Sequence, residues 1–164
     1  MVCSRKEAIG IYEVVFDNSN QKDEKWYINT NQSFAFADGI VTASYGTATP
    51  KAHADRNGTD RDGVELNPIV VIEGLKTKLI KNLKAQVAGI LAETDWYITR
   101  NTEKSTAIPS AVSTHRDAVR TKQASMETAI TNAADTAALE TLHTYTTTDG
   151  VQSRPLGELP VLES

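Results

Sequence analysis

The stretch DWYITRNTEKSTAIPSAVSTHRDAVR, residues 95–120, lies between two segments of helical periodicity and decides how they are joined. Before it, Ile72, Leu75, Leu79, Leu83, Val87, Ile90 and Leu91 recur at three- and four-residue steps while lysines occupy other faces, the pattern of an amphipathic helix. Asn67 followed by Pro68 fits an N-cap with proline at the first helical position, and the helix is expected to run on to Arg100. After it, Ser110 is placed to cap a second helix. Along that helix Val112, Val119, Met126 and Ala133 recur every seven residues, with Arg116, Gln123, Ile130 and Ala137 four residues after each. The polar and small members weaken this seam, so it needs the first helix, or copies of itself, to bury it. Asp135 or Thr136 restarts a helix that ends near His143.

Pro109 cannot continue a helix and restricts Ile108 before it, so the two rods are expected to fold back at Ile108-Pro109. Trp96 and Tyr97 end the first rod, where amphipathic rings cover a small core and keep their polar tips wet. Arg100, Arg116 and Arg120 flank the turn. Arg116 and Arg120 are one helical step apart, and two guanidiniums on one face suit phosphate, but Asp95, Glu103 and Asp117 are near enough in sequence to pair with them. A structural joint is the simpler reading.

Outward from the joint, the N-terminal part reads as short strands. GIYEVVFD (10–17), WYINT (26–30), SFAFADG (33–39) and IVTASYG (40–46) are rich in β-branched and aromatic residues and bounded by Asn, Asp or Gly. Asp38-Gly39 between two apolar runs signals a hairpin, because tight reversals need positive φ. Residues 47–67 lack periodicity and read as a loop. Its tract DRNGTDRDG (55–63) alternates oxygen-bearing side chains, yet neither register supplies the spacing of an EF-hand calcium loop, so turn chemistry is preferred. The C-terminal TTTDGVQSRPLGELPVLES (146–164) has no helical period and reads as an extended arm. Its Leu156 and Leu159 are too apolar for a solvating tail and suit the groove of a partner chain. The expected fold is therefore α+β: a small antiparallel β-meander with a loop over 1–66, a helical hairpin over 67–143 and an extended arm over 144–164.

Composition narrows the function classes. Hydrophobic residues at 40% and charged residues at 23% support a folded core in a chain of 164 residues. A formal charge of -4 argues against a general nucleic-acid binder, which needs a broad basic surface. Lys76, Lys78, Lys81 and Lys84 form a local stripe that reads as the wet face of a helix. The single cysteine, Cys3, offers neither an internal disulfide nor a zinc cluster. The opening residues lack a signal-peptide block and no apolar run reaches the roughly 20 residues that span a bilayer, so a soluble, cytoplasmically made product is expected.

Motifs for chemistry are sparse. His53, His115 and His143 are far apart and none has a partner at metal-ligand spacing. No nucleophile elbow, phosphate loop or dinucleotide fingerprint occurs, so no catalytic residue, cofactor, metal or small-molecule substrate is expected. The residues singled out are instead packing and interface candidates: Trp96, Tyr97, Arg100, Pro109, Arg116, Val119, Arg120, Met126, Ile130, Leu156 and Leu159.

The segment LAETDWYITRNTEKSTAIPSAVSTHRDAVR (91–120) resembles a module found near the C-termini of many bacteriophage tail and tail-fibre-associated proteins, of the kind termed tail-assembly-chaperone-like. The likeness lies in a helix ending in Asp95-Trp96, then Arg100, the Ala107-Ile108-Pro109 turn, and a helix bearing Arg116 and Arg120; it covers residues 75–142. SFAFADGIVTASYGTATPKAHAD (33–55) also looks like the front part of small phage virion proteins. The resemblance implies a non-enzymatic virion structural protein of the tail, tail fibre or baseplate. It would be made in the host cytoplasm and packed against other virion proteins and copies of itself, as a trimer if part of a fibre. A transient assembly chaperone, absent from the mature particle, is the alternative. A strand unit before the helices and an apolar arm after them depart from the chaperone-like pattern and favour a retained component.

Overall fold

The Asp38-Gly39 signal is realised in the computed structural model, which describes residues 10–162. Asp38 has φ 52° and Gly39 φ 80°, the paired positive values of a two-residue hairpin turn. The turn joins strands from a first unit, Met1–Lys51, which contains β1 (Glu13–Asp17), β2 (Tyr27–Ile28), β3 (Ser33–Ala37), β4 (Ile40–Ser44) and β5 (Thr49–Pro50). β3 and β4 pair antiparallel, as the hairpin requires. The expected meander is corrected at β1, which lies parallel to β4 on its other side, giving the order β1-β4-β3. The physical reason is visible in the intervening chain. Trp26 and Tyr27 are buried, and β2 is drawn into a separate ladder with β5, so the chain crosses over before returning as β3.

The second unit, Ala52–Ser164, holds the helices. It begins with β6 (Arg56–Asn57) paired antiparallel to β7 (Val71–Ile72). The expected helix start at Asn67-Pro68 is corrected here: Ile69 to Ile72 are four β-branched residues, of which Val71 and Ile72 form β7, and α1 (Leu75–Ala92) begins only after Gly74. Its first amides are satisfied from a distance, Leu75 N–H donating to Ala52 O and Lys76 N–H to His53 O, both at 3.0 Å. Asp55 braces the same turn by accepting from Gly74 N–H at 2.7 Å and Thr77 Oγ1 at 2.9 Å. Gly74 is required by this approach, since a Cβ there would sit 2.4 Å from the Ala54 carbonyl.

The first rod is also shorter than expected. α1 ends at Ala92, and α2 (Asp95–Lys104) carries the Trp-Tyr pair as a separate helix. Ser105 then turns left-handed, with φ 52°, and α3 (Ser110–Asn132) follows Pro109. Pro109 occupies the N-cap position and Ser110 is the first helical residue, so Ser110 is not the cap. α1 and α3 run antiparallel. Lys76 Nζ donates to Thr131 O, Lys84 pairs with Glu127, and Arg116 reaches Leu91 O at the other end. α4 (Thr136–His143) starts where the sequence placed it, with the Asp135 carboxylate accepting from Ala138 N–H at 2.8 Å.

The helical core contains Leu83, Val87, Val112, Val119, Met126, Ile130, Ala133 and Leu139, of which Val119, Ile130 and Leu139 are wholly enclosed. The seam on α3 is thus covered within the chain, in good part by α1, as far as Ala133; Ala137, on the separate α4, is exposed. The arm also packs on this unit, which corrects the expectation that its apolar residues lie in the groove of a partner chain. β8 (Thr146–Thr148) and β9 (Val151–Ser153) form a hairpin turned by Asp149 and Gly150, both at positive φ. Leu156 is then buried, with its N–H donating to Leu142 O at 3.0 Å, and Pro160 O lies 3.1 Å from His115 Nε2 on α3.

Candidate interaction surface

Arg116 explains the peculiar joint. Its guanidinium is buried and donates from one amino nitrogen to Leu91 O and Thr94 Oγ1, both at 2.7 Å, while the other meets Asp95 Oδ1 at 2.8 Å. The end of α1 leaves carbonyls without helical partners, and at Leu91 O a fixed fork of donors on α3 joins the Thr94 amide and hydroxyl. The α1–α2 break is therefore held by a residue more than twenty positions downstream. Arg120, one turn further, is exposed and lies 3.3 Å from Asp117. Both amino nitrogens of Arg116 are engaged by Leu91, Thr94 and Asp95, so the two guanidiniums do not form a shared phosphate-binding pair.

The rings beside the joint are placed differently. Trp96 is 51% exposed and stacks on half-buried Tyr97 with centroids 3.8 Å apart. Arg100 lies over both rings, at 4.6 Å and 5.3 Å, in cation–π geometry. Pro109 is exposed and Leu159 half-buried. Val119, Met126, Ile130 and Leu156 are interior to the unit; of the two covers expected for the α3 seam, the first helix or a second copy, the chain's own first helix supplies a good part. A cleft of about 200 Å³ beside the joint is lined by Ile98, Ile108, Ser113, Arg116, Asp117 and Arg120. The lysine stripe is largely engaged, Lys76 with Thr131 O, Lys81 with Glu73 and Lys84 with Glu127.

The chemistry-bearing side chains stay dispersed. His115 is buried on α3 and His143 Nδ1 meets Leu139 O. Among the described residues, no group of three or more His, Cys, Asp or Glu side chains is placed to hold a metal ion, and no helix is long and apolar enough to cross a membrane. Cys3 lies outside the described residues. Tyr145 donates to Glu158 at 2.6 Å, and this hydrogen bond to a carboxylate pushes the phenol's pKa up.

The surface that stands out is in the first unit and contains none of the residues singled out from sequence. Cross-strand register puts Val14, Val41 and Phe36 side by side, and Phe16, Ala43 and Phe34 side by side in the next matching row. Residues opposite one another on a sheet share a face. One face therefore carries only apolar groups, including all three phenylalanines of the chain. Phe16 is 63%, Phe34 65% and Phe36 60% exposed, and Val14 is 46% exposed. Glu13, Asp17, Ser33, Thr42 and Ser44 have the other parity and take the opposite face. Tyr12 stands against Phe36 with centroids 4.6 Å apart. The alternation in SFAFA was readable as a strand; that the phenylalanines of its apolar side stay exposed was not.

No family model matches this chain, and neither a curated protein nor a solved structure is similar to it.

Proposed function

We propose that this chain is a non-enzymatic bacteriophage virion structural protein, a component of the tail, tail fibre or baseplate, that acts by packing against other subunits. One observation carries the packing role: an apolar sheet face bearing three exposed phenylalanines and no charge. A sheet with one apolar face needs a second layer to bury it, and a large exposed apolar patch marks a contact surface. The virion setting rests on the resemblance of residues 91–120 to the phage tail module. Arg116, a residue of that resemblance, organises the joint from inside, in keeping with a structural role for the module. Quantitative mass spectrometry of purified mature particles tests the reading. Stoichiometric, reproducible copy number is expected; presence only in assembly intermediates would favour the transient chaperone, and absence from both would refute the assignment.

A further inference from the structure

We infer that the phenylalanine face of the β1-β4-β3 sheet is a self-association surface, completed by the same face of a second copy of this chain. The inference deepens the packing role proposed above and rests on it, but it moves the contact between copies from the α3 seam, which is covered within the chain, to the first unit.

The relief of the face argues for its own kind as occupant. β4 is central and contributes small Ala43, 2% exposed, between Phe16 on β1 and Phe34 on β3. Val41 continues this floor between Val14 and Phe36. With Ala43 itself out of reach of solvent, the accessible surface of the face is chiefly that of the flanking Phe16, Phe34 and Phe36 rings and of Val14. An identical face, shifted sideways by about one strand spacing of 4.8 Å, sets its own rings between these. Stacked sheets of this kind sit about 10 Å apart with inner side chains interdigitated.

Area and charge point the same way. Aromatic side chains present about 150–250 Å² each, so three phenylalanines exposed by some three-fifths contribute on the order of 400 Å². With Tyr12, Val14 and Val41 the face offers roughly 500–600 Å², and two copies remove about 1,000 Å² or more, the threshold of a specific interface. Glu13 and Asp17, the charged residues of the three paired strands, project from the opposite face, so stacking these strands on a second copy buries no charged strand residue. A two-fold axis makes the contact self-complementary and closed.

Sedimentation equilibrium of the full chain over micromolar to several hundred micromolar concentrations tests this, with wild type expected to show a monomer–dimer equilibrium. Phe34→Lys is expected to weaken dimerisation by about 30-fold or more, as a charge placed in the centre of an interface does. Val15→Lys, on the opposite face, should leave the constant within about threefold. Photochemical footprinting of wild type supplies a readout that does not depend on any variant folding: labelling of Phe16, Phe34 and Phe36 should fall as dimer forms, while Val151 and Trp96 stay constant. A wild type that remains monomeric throughout overturns the inference, as does a dimer whose three phenylalanines label unchanged. Either result leaves the virion reading intact if the chain is still found in particles, so the two failures are distinguishable.

Discussion

The two units solve the burial problem in opposite ways. In the helical unit, Val119, Ile130 and Leu139 are sealed by neighbouring elements of the same chain, and the C-terminal segment adds Leu156. In the sheet unit, the three phenylalanines look outward, and among the described residues only Trp26, Tyr27, Ala43 and Ala48 are buried. A helix pair buries its stripes by folding back once, whereas a single three-stranded sheet has no second layer within itself. The difference teaches where to look for a partner: apolar residues of the helices stabilise the fold, and those of the sheet are free to stabilise an assembly.

The largest expected effect breaks the comparison most directly. Leu139→Ala removes a fully enclosed side chain and should destabilise the helical unit by about 2–5 kcal/mol in denaturant melts. Phe36→Ala, a larger truncation, should cost the chain at dilute, monomeric concentration about 1 kcal/mol or less, because its ring is already 60% exposed. Equal losses would mean that the sheet face is covered after all.

Next in size is the joint. Arg116→Met keeps the stem but deletes the charged donors to Leu91 O and Thr94 Oγ1, although Leu91 O keeps the Thr94 amide and hydroxyl, both at 3.1 Å. A loss of about 1–3 kcal/mol is expected, the range for hydrogen bonds made by a charged group. The pair with Asp95 adds little, since that carboxylate is 60% exposed and well screened. Faster amide exchange at the α1–α2 break should accompany the loss. Trp96→Ala stands lower, at about 1 kcal/mol or below, because the half-exposed indole gives up a ring stack and a cation–π contact but no enclosed volume. A melt shifted by as much as Leu139→Ala would show that the ring is buried against a partner.

Legibility from sequence followed the range of the interactions. The Asp38-Gly39 reversal, the start of α4 at Asp135 and the break at Pro109 depend on residues within a few positions of one another, and all three were readable. The start of α1 was not. Its amides are capped by Ala52 and His53, more than twenty residues earlier, while the local Asn67-Pro68 signal sits at a bend before β7. The α1–α2 break was hidden for the same reason, since its stabilising guanidinium arrives from α3. The parallel placement of β1 depends on a crossover that no local pattern encodes. Of the interface candidates, the seam and the arm were recognised as apolar and in need of cover, but sequence alone could not say that the chain supplies the cover itself. The phenylalanines posed the converse difficulty: their alternation was plain, and their exposure could be seen only in three dimensions.

The smallest expected effect separates local from long-range order at two carboxylates. Asp17 and Asp55 both have pKa values held below the ordinary range, the first chiefly by the backbone N–H of Ser19 and the second chiefly by that of Gly74, aided by Thr77. The bond at Asp17 spans two residues and can persist in an unfolded chain as an Asx turn, so little of its depression is linked to folding. The bond at Asp55 spans nineteen residues and exists only when the helical unit is folded. A carboxylate with a depressed folded-state pKa contributes stability that is full above its unfolded value and lost as pH falls through the folded one. Below the ordinary carboxylate range, amide exchange at Lys76 and Thr77 should therefore accelerate before the core of α3 does. Asp55→Asn should reproduce that fraying at neutral pH, while Asp17→Asn should leave strand exchange unchanged. If both carboxylates titrate alike in the folded and urea-unfolded chain, the long-range brace on α1 contributes nothing to folding, and the start of the helix must rest on the Ala52 and His53 carbonyls alone.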